Sequence, residues 1–361
     1  MSVSNSVKAV RLDWVDLAKG IAMVLIIFAH TMEWLSSQIG VSLYLLPIIY
    51  SFHVPLFFFI SGFLFSSNKP IKVFAKKTVL SFIVPYVTFA CATLLADFVK
   101  KNILKSEGDI NLLSETKQLF FQNHYDTLWF LLVLMFVEII AFVICRIKNV
   151  KIIAALTVVF AVVAGLYYRF INIKLIWSID EIFYVLPLFM VGYLVRKSGI
   201  CEKILIIRYT PIYLLLGVLF GWLNLRLNPN IKFVNMFKCH FGYISLFYLS
   251  AIFSILFVLC LCVKMERIKP LNYIGRNSMI YYGFHIIILV FVLHFIMPHF
   301  DGSVLRYLVF CIISTGAIIS VITLINAIVL KTPLKILIGK SSYYKSATKT
   351  DKVKGCVCDG K

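Results

Sequence analysis

Acidic residues are scarce in this chain. Only 16 of its 361 residues are Asp or Glu, against 36 Lys and Arg, and charged residues of both signs together make up 14%. A soluble domain carries about 25% charge, so the composition excludes an ordinary soluble enzyme, a coiled coil and a disordered chain. The nine cysteines lack a metal-site pattern. The close pairs Cys260/Cys262 and Cys356/Cys358 are C-x-C, with no second pair or His cluster at zinc spacing. Five cysteines (Cys91, Cys145, Cys260, Cys262 and Cys311) sit in or beside apolar runs, where Cys acts as a small hydrophobe. No metal and no disulfide framework are expected. The closing Cys358-Asp-Gly-Lys lacks the aliphatic positions of a prenylation box. No internal repeat is visible, and no small-x-small cleavage site follows the apolar stretch Gly20–Ala29, which His30-Thr-Met-Glu continues.

Apolar residues are what the chain has in quantity. They make up 61% of it, and the mean hydropathy is +0.93. They recur in ten runs near bilayer length: 15–36, 42–66, 78–99, 127–145, 150–168, 179–195, 204–224, 244–263, 278–297 and 304–330. Their continuous apolarity excludes a transmembrane barrel, whose strands alternate. The expected fold is all-α: a polytopic integral membrane protein of about ten transmembrane helices. The domain spans 1–340, followed by a basic, flexible cytoplasmic tail over 341–361. A surplus of 20 positive charges on a soluble chain suggests nucleic acid. Here the basic residues lie in short loops and act as topology determinants, so membrane lipids are the expected partner and nucleic acid is not. With the N-terminus inside, 26 of the 36 basic residues fall on the cytoplasmic side. That places both termini in the cytoplasm of a multi-pass protein of the cell (inner) membrane.

Ionisable residues inside membrane helices are costly and mark candidate sites. In the first run Asp16, Lys19, Met23, Ile26, His30 and Glu33 recur at intervals of three or four, on one helical face. Lys19 and His30 differ by only about 20° in azimuth, with His30 roughly 16 Å further along. Glu33, one turn beyond, is placed to orient the imidazole. The bland alternative is a Lys19 that snorkels to headgroups and a His30 that is merely packed. In the second run Pro55 breaks the ladder and frees a carbonyl near His53, and Ser61-Gly62 allows close helix approach. In the ninth run Ser278, Tyr281, Tyr282 and His285 fall at i, i+3, i+4 and i+7. That polar stripe suits a ligand or interhelical hydrogen bonds. In the fourth run Trp129 reads as an interfacial anchor, and Glu138 needs a buried partner or a proton. His294 and His299 read as solvated.

Four blocks in order carry a resemblance. Arg11-Leu-Asp-Trp-Val-Asp16-Leu-Ala-Lys19-Gly…His30 resembles the opening of the membrane acyltransferase-3 family, a basic residue followed eleven positions later by histidine. His53-Val-Pro-Leu-Phe-Phe-Phe-Ile-Ser-Gly-Phe resembles its second-helix signature. Thr127-Leu-Trp129-Phe-Leu and Gly275-Arg-Asn-Ser278-x-x-Tyr281-x-x-x-His285 resemble later blocks. The Trp-Val-Asp-Leu-Ala-Lys-Gly variant is most similar to the fucose 4-O-acetylase-like branch. One departure stands out: the family often has an Arg-x-x-Arg pair entering the third helix, where this chain has Lys76-Lys77, with Ser81 nearer Pro85.

The resemblance implies an O-acyltransferase, commonly an O-acetyltransferase. It would move an acyl group from cytoplasmic acyl-CoA, a co-substrate and not a bound cofactor, to a hydroxyl of a surface glycan or lipid-linked sugar. In that scheme His30 is the general base or is itself transiently acylated, with Glu33 beside it. Asp16, Lys19, His53, Trp129, Ser278, Tyr281 and His285 contact substrate, and an oxyanion needs donors among them. Lys76, Lys77 and Arg276 bind the donor's phosphates. Two rivals are a transporter or flippase of a lipid-linked glycan and a non-enzymatic scaffold. The first often shows broken repeat helices; the second gives no reason for polar stripes in two separate runs.

Overall fold

The computed structural model describes residues 12–39, 45–103, 116–117, 128–296 and 304–340. Lys8, Arg11, Thr127, His299, Cys356, Cys358 and the tail over 341–361 lie outside the described residues. The described chain is helical, and its one β feature is the isolated bridge between Asn235 and His240. Lipid offers no hydrogen-bond partner to a backbone, so apolar runs of this length close their own bonds as helices.

The first helix, α1, runs over Asp13–Ile39, with Asp13 and Asp16 in its first turn, where the helix dipole favours negative charge. The second apolar run splits in two, α2 (Leu45–Tyr50) and α3 (His53–Leu64). The break falls at Ser51–Phe52, upstream of the proline on which it was expected. Pro55 sits in the first turn of α3, where its missing N–H breaks no bond. The third run starts seven residues earlier than its apolarity suggests. α4 (Ile71–Thr78) passes through a π-turn (Val79–Ile83) into α5 (Val84–Ile103), so Lys76 and Lys77 belong to a helix and not to a loop.

The rest follows the expected order. α6 is Trp129–Ile144 and α7 is Val150–Phe170, whose first turn is capped by the Asn149 side chain accepting from the Lys151 N–H at 2.9 Å. α8 is Glu181–Lys197, α9 is Thr210–Leu227 and α10 is Ile244–Met265. The short amphipathic α11 (Lys269–Arg276) leads into α12 (Ser278–Ile296), and α13 (Val304–Val329) follows. Among the described residues nine segments are long and apolar enough to cross a membrane. The fourth of the ten expected spans falls short: α6 has 16 residues, about 24 Å of helix against about 30 Å of hydrocarbon.

Packing separates a lipid-facing shell from a buried centre. α7 and α9 turn Val158, Val162, Leu215 and Trp222 outward. α1, α3, α6 and α8 are largely buried, and the apolar core condenses around them. α3 lies against α8 and α9 against α10, while α1 is flanked by α3, α10, α11, α12 and α13. The α3–α8 crossing is closed by two glycines facing opposite backbones: a Cβ on Gly62 would overlap the carbonyl of Phe189, and one on Gly192 the carbonyl of Phe59. Gly62 therefore has the packing role its Ser-Gly context suggests.

Gly62→Val should lower the melting temperature of the purified protein, because overpacking a close crossing costs about 1–3 kcal/mol. Gly165→Ala, on α7 with open space at its Cβ position, should leave it unchanged or raise it, since alanine is the better helix former by about 1 kcal/mol. Thermal melting monitored by intrinsic fluorescence reads both.

Candidate active site

The orientation of α1 is set at its N-terminal end. A Cβ on Gly20 would overlap the Leu271 carbonyl, and one on Gly275 the Asp16 carbonyl, so α1 and α11 touch backbone to backbone. Arg276 donates from Nε to Asp16 Oδ2 at 3.0 Å and from its terminal nitrogen to Asp13 Oδ1 at 2.6 Å. Asn272 donates to the Asp13 carbonyl at 2.7 Å. This clamp corrects two sequence-based assignments. Asp16, 5% exposed, and Arg276 satisfy each other and line neither of the two large cavities. Asp16 shares the azimuth of Met23 to within about 20°, but it lies two turns nearer the end where α11 packs against α1.

Two cavities flank His30 along α1. One, about 330 Å³, lies on the side of the clamp and is lined by Lys19, Met23, Ile26 and His30 of α1, with Lys77, Ser81, Glu138, Ser278, Tyr282 and His285 from its neighbours. The other, about 550 Å³, lies beyond His30 and is lined by Glu33, Trp34, Tyr50, His53, Asp97, Lys100, Asn235 and Lys238 among others. Both fall within the usual size of ligand sites. His30, Val54 and Trp129 line both. The face predicted on α1 is therefore the face that meets the cavities, apart from Asp16.

Polar contacts at Nδ1 distinguish the three histidines. His30 Nδ1 stands 3.8 Å from Glu33 Oε2, each side chain about 30% exposed. Tyr50 donates its hydroxyl proton to the same Glu33 oxygen. This arrangement favours a proton on His30 Nδ1 and a free lone pair on Nε2. His53 is buried, with Nδ1 2.6 Å from the Ile49 carbonyl. His285 is buried, with Nδ1 2.6 Å from the Tyr282 carbonyl. A ring nitrogen facing a carbonyl at that distance must carry the proton, so each neutral ring is left with Nε2 as an acceptor. Neither neutral ring can donate to an oxyanion. The Ile49 carbonyl beside His53 also accepts from the Phe52 N–H at the α2–α3 break, at 3.2 Å.

The remaining expected residues divide. Ser278, Tyr282 and His285 face the smaller cavity, but Tyr281 is fully buried and its hydroxyl lies 2.6 Å from that of Thr323 on α13. The polar stripe is therefore narrower than predicted: Tyr281 lies about 100° from Tyr282 around the helix and serves interhelical bonding. Lys77 donates to Glu138 Oε2 at 3.1 Å, which gives Glu138 the partner it needed, and the pair lines the smaller cavity. Lys76 is exposed and outside both cavities, a correction to its grouping with Lys77. Trp129 is 6% exposed and forms the wall between the cavities, so it is not an interfacial anchor. His294 is exposed, as expected.

Several site residues were not singled out from sequence. Tyr50 lies three positions before His53 but in a separate helix. Ser81 sits in the π-turn, its hydroxyl buried without a hydrogen-bond partner, and it lines the smaller cavity. π-turns inside helices recur at functional sites. Asn235 and Lys238 come from the α9–α10 loop, which walls the larger cavity. That loop is pinned by the Asn224 side chain, which donates to the Phe241 carbonyl at 2.7 Å and accepts from the Tyr243 N–H at 2.8 Å.

A buried polar group holds the same loop against α8. Cys239 Sγ lies 3.2 Å from Asp180 Oδ2 and 3.4 Å from Glu181 Oε1, and one ligand atom from each of these three residues falls within 4.8 Å of the others. Such a set can hold a cation, and an ammonium already does so. Lys174 Nζ is 3.4 Å from Asp180 Oδ2 and 3.0 Å from Glu181 Oε1, and stands over the Phe237 ring at 4.7 Å. Burial pulls Lys174 downward, but Glu181, Cys239 and Asp180 outweigh it and raise its pKa above the ordinary value. Burial, and next the Glu181 carboxylate, push the Cys239 thiol up. The residues are too far apart in sequence for any spacing rule. The seven described cysteines, Cys239 included, are free thiols.

Lys174→Met should strand two fully buried carboxylates and cost about 3 kcal/mol. Adding Asp180→Asn and Glu181→Gln should recover most of that loss. Chemical denaturation or melting of the two variants beside wild type is the check.

Among curated proteins none matches this chain significantly. A family model described as an acyltransferase domain matches residues 12–324. That stretch contains α1 with Lys19 and His30, both cavities and their walls, and all the helices but the end of α13. The chain belongs to the acyltransferase-3 family and is a multi-pass membrane acyltransferase.

Proposed function

We propose that the chain is an O-acyltransferase, in the first instance an O-acetyltransferase, that passes an acyl group from acyl-CoA to a hydroxyl of a cell-envelope glycan or lipid-linked sugar. The observation that carries this reading is the pair of cavities on either side of His30, both walled by that one imidazole. The smaller cavity suits the donor. Lys19 and Lys77, the latter paired with Glu138, place cations in its lining, most of its other walls are apolar, and Ser81 offers an unpaired hydroxyl. Its mouth is then the cytoplasmic side, as the charge bias of the loops suggests. The larger cavity suits a sugar. Trp34, Tyr50, Trp129 and Phe237 supply flat apolar surface, and Asp97, Lys100, Asn235 and Lys238 supply polar groups.

A sugar hydroxyl is a weak nucleophile until a base takes its proton. His30 Nε2 is that base. Glu33, held by Tyr50, fixes the tautomer and stabilises the imidazolium that forms. The hydroxyl oxygen attacks the thioester carbonyl, the C–S bond breaks, the proton held on His30 passes on to the departing sulfur, and CoA leaves as the thiol through the smaller cavity. The structural roles of Asp16 and Arg276 stand outside this scheme. Two cavities meeting in mid-membrane would also suit a flippase of a lipid-linked glycan, and turnover of labelled acyl-CoA by the purified protein separates the two.

His30→Ala at matched membrane abundance should reduce O-acyl esters on envelope glycans by about 10²-fold or more, read by mass spectrometry. Unchanged ester content would remove His30 from the mechanism. Lys19→Ala should raise KM for acyl-CoA about tenfold to a hundredfold, the worth of one charge-assisted hydrogen bond, with kcat much less affected. A fall in kcat at constant KM would place Lys19 elsewhere than at the donor.

A further inference from the structure

His285 does not fit the role of a donor to substrate, because its Nδ1 proton is committed to the Tyr282 carbonyl at 2.6 Å. Its Nε2 is sealed from solvent and has no hydrogen-bond partner. A buried, unpaired acceptor is costly and calls for an explanation. Its ring centroid lies 5.3 Å from that of His30. Unlike His30, it lines only the cavity on the Lys19 side, whereas His53, held in the same tautomer, lines only the other. His285 is thus an open proton seat beside the base, on the side from which the thiolate must leave.

We infer that His285 is the second proton carrier of the acyl transfer: it takes from His30 the proton of the acceptor hydroxyl and delivers it to the departing thiolate. This rests on the acyl-transfer reading above. The balance closes without a further reactant. The O–H bond breaks as the O–C bond forms, the proton passes from His30 Nε2 to His285 Nε2, and the C–S bond breaks as the S–H bond forms. A thiolate released into an apolar cavity is strongly disfavoured, so protonating it there lowers the barrier. Both imidazoles end neutral, His285 still donating from Nδ1 to Tyr282.

The test uses membrane vesicles carrying the full chain and its natural acceptor, with two labelled donors, acetyl-CoA and S-phenyl thioacetate. The aromatic thiolate is stable without a proton and needs no acid. His285→Gln should lose about 10²-fold or more with acetyl-CoA and far less with the aryl thioester, whereas His30→Gln should lose both. As a second readout, added imidazole should restore acetyl-CoA turnover to His285→Ala and not to His30→Ala. Either signature supports the relay. Absence of both, in His285 variants that keep the wild-type melting temperature, overturns it while leaving the acyl-transfer reading intact. Failure of the wild type to turn over acetyl-CoA overturns that reading and the relay with it.

Discussion

The backbone contact between α1 and α11 is the constraint from which the rest of the site follows. Glycines at 20 and 275 let the two helices meet without intervening side chains, and Asp13 and Asp16 on Arg276 lock their rotation. A rotation of one residue, about 100°, would carry Lys19 and His30 out of the cavities together. The clamp sits at one end and His30 lies about three turns away, so a rigid rod sets which way the imidazole faces, and Glu33 and Tyr50 act on it locally. Such remote support costs little at the reacting centre and keeps that centre free of bonds that a substrate would have to break.

The polar interior is arranged so that almost every ionisable group is either paired or placed on a cavity wall. Lys77 with Glu138, Lys174 with Asp180 and Glu181, and Glu33 with Tyr50 are all matched. In a medium that cannot solvate charge, an unmatched group costs several kcal/mol. Of the eight buried polar atoms without partners among the described residues, Ser81 Oγ and His285 Nε2 belong to residues of the smaller cavity. The three histidines differ in what faces Nδ1. Glu33 faces Nδ1 of His30, and backbone carbonyls fix Nδ1 of His53 and His285. One fold thus presents three such imidazoles, one lining both cavities and one lining each of them alone.

Much of this was legible in the chain itself. Helices in lipid follow from apolar length alone, since no other open structure closes its hydrogen bonds there. The Lys19–His30 face follows from the period of the helix. The misreadings share a cause, which is that periodicity sets an azimuth but not what lies opposite it. Asp16 lies within about 20° of Met23, and Tyr281 within about 40° of His285, around their helices, yet each found a partner on a neighbouring helix instead. The length of α6 and the break between α2 and α3 depend on how neighbours bury them, which hydropathy does not record.

By itself the sequence determined that this is a multi-helix membrane protein with a charged foot and an imidazole on one face of its first helix. Those properties are local, fixed by composition and by 3.6 residues per turn. Only the tertiary structure decided that two cavities meet at that imidazole, that Tyr50 and Glu33 stand behind it, and that a second imidazole waits beside it with an unpartnered nitrogen. These depend on contacts between residues up to about 260 positions apart. No local rule reaches across such distances, because they are set by which helix faces fit closely enough to exclude lipid.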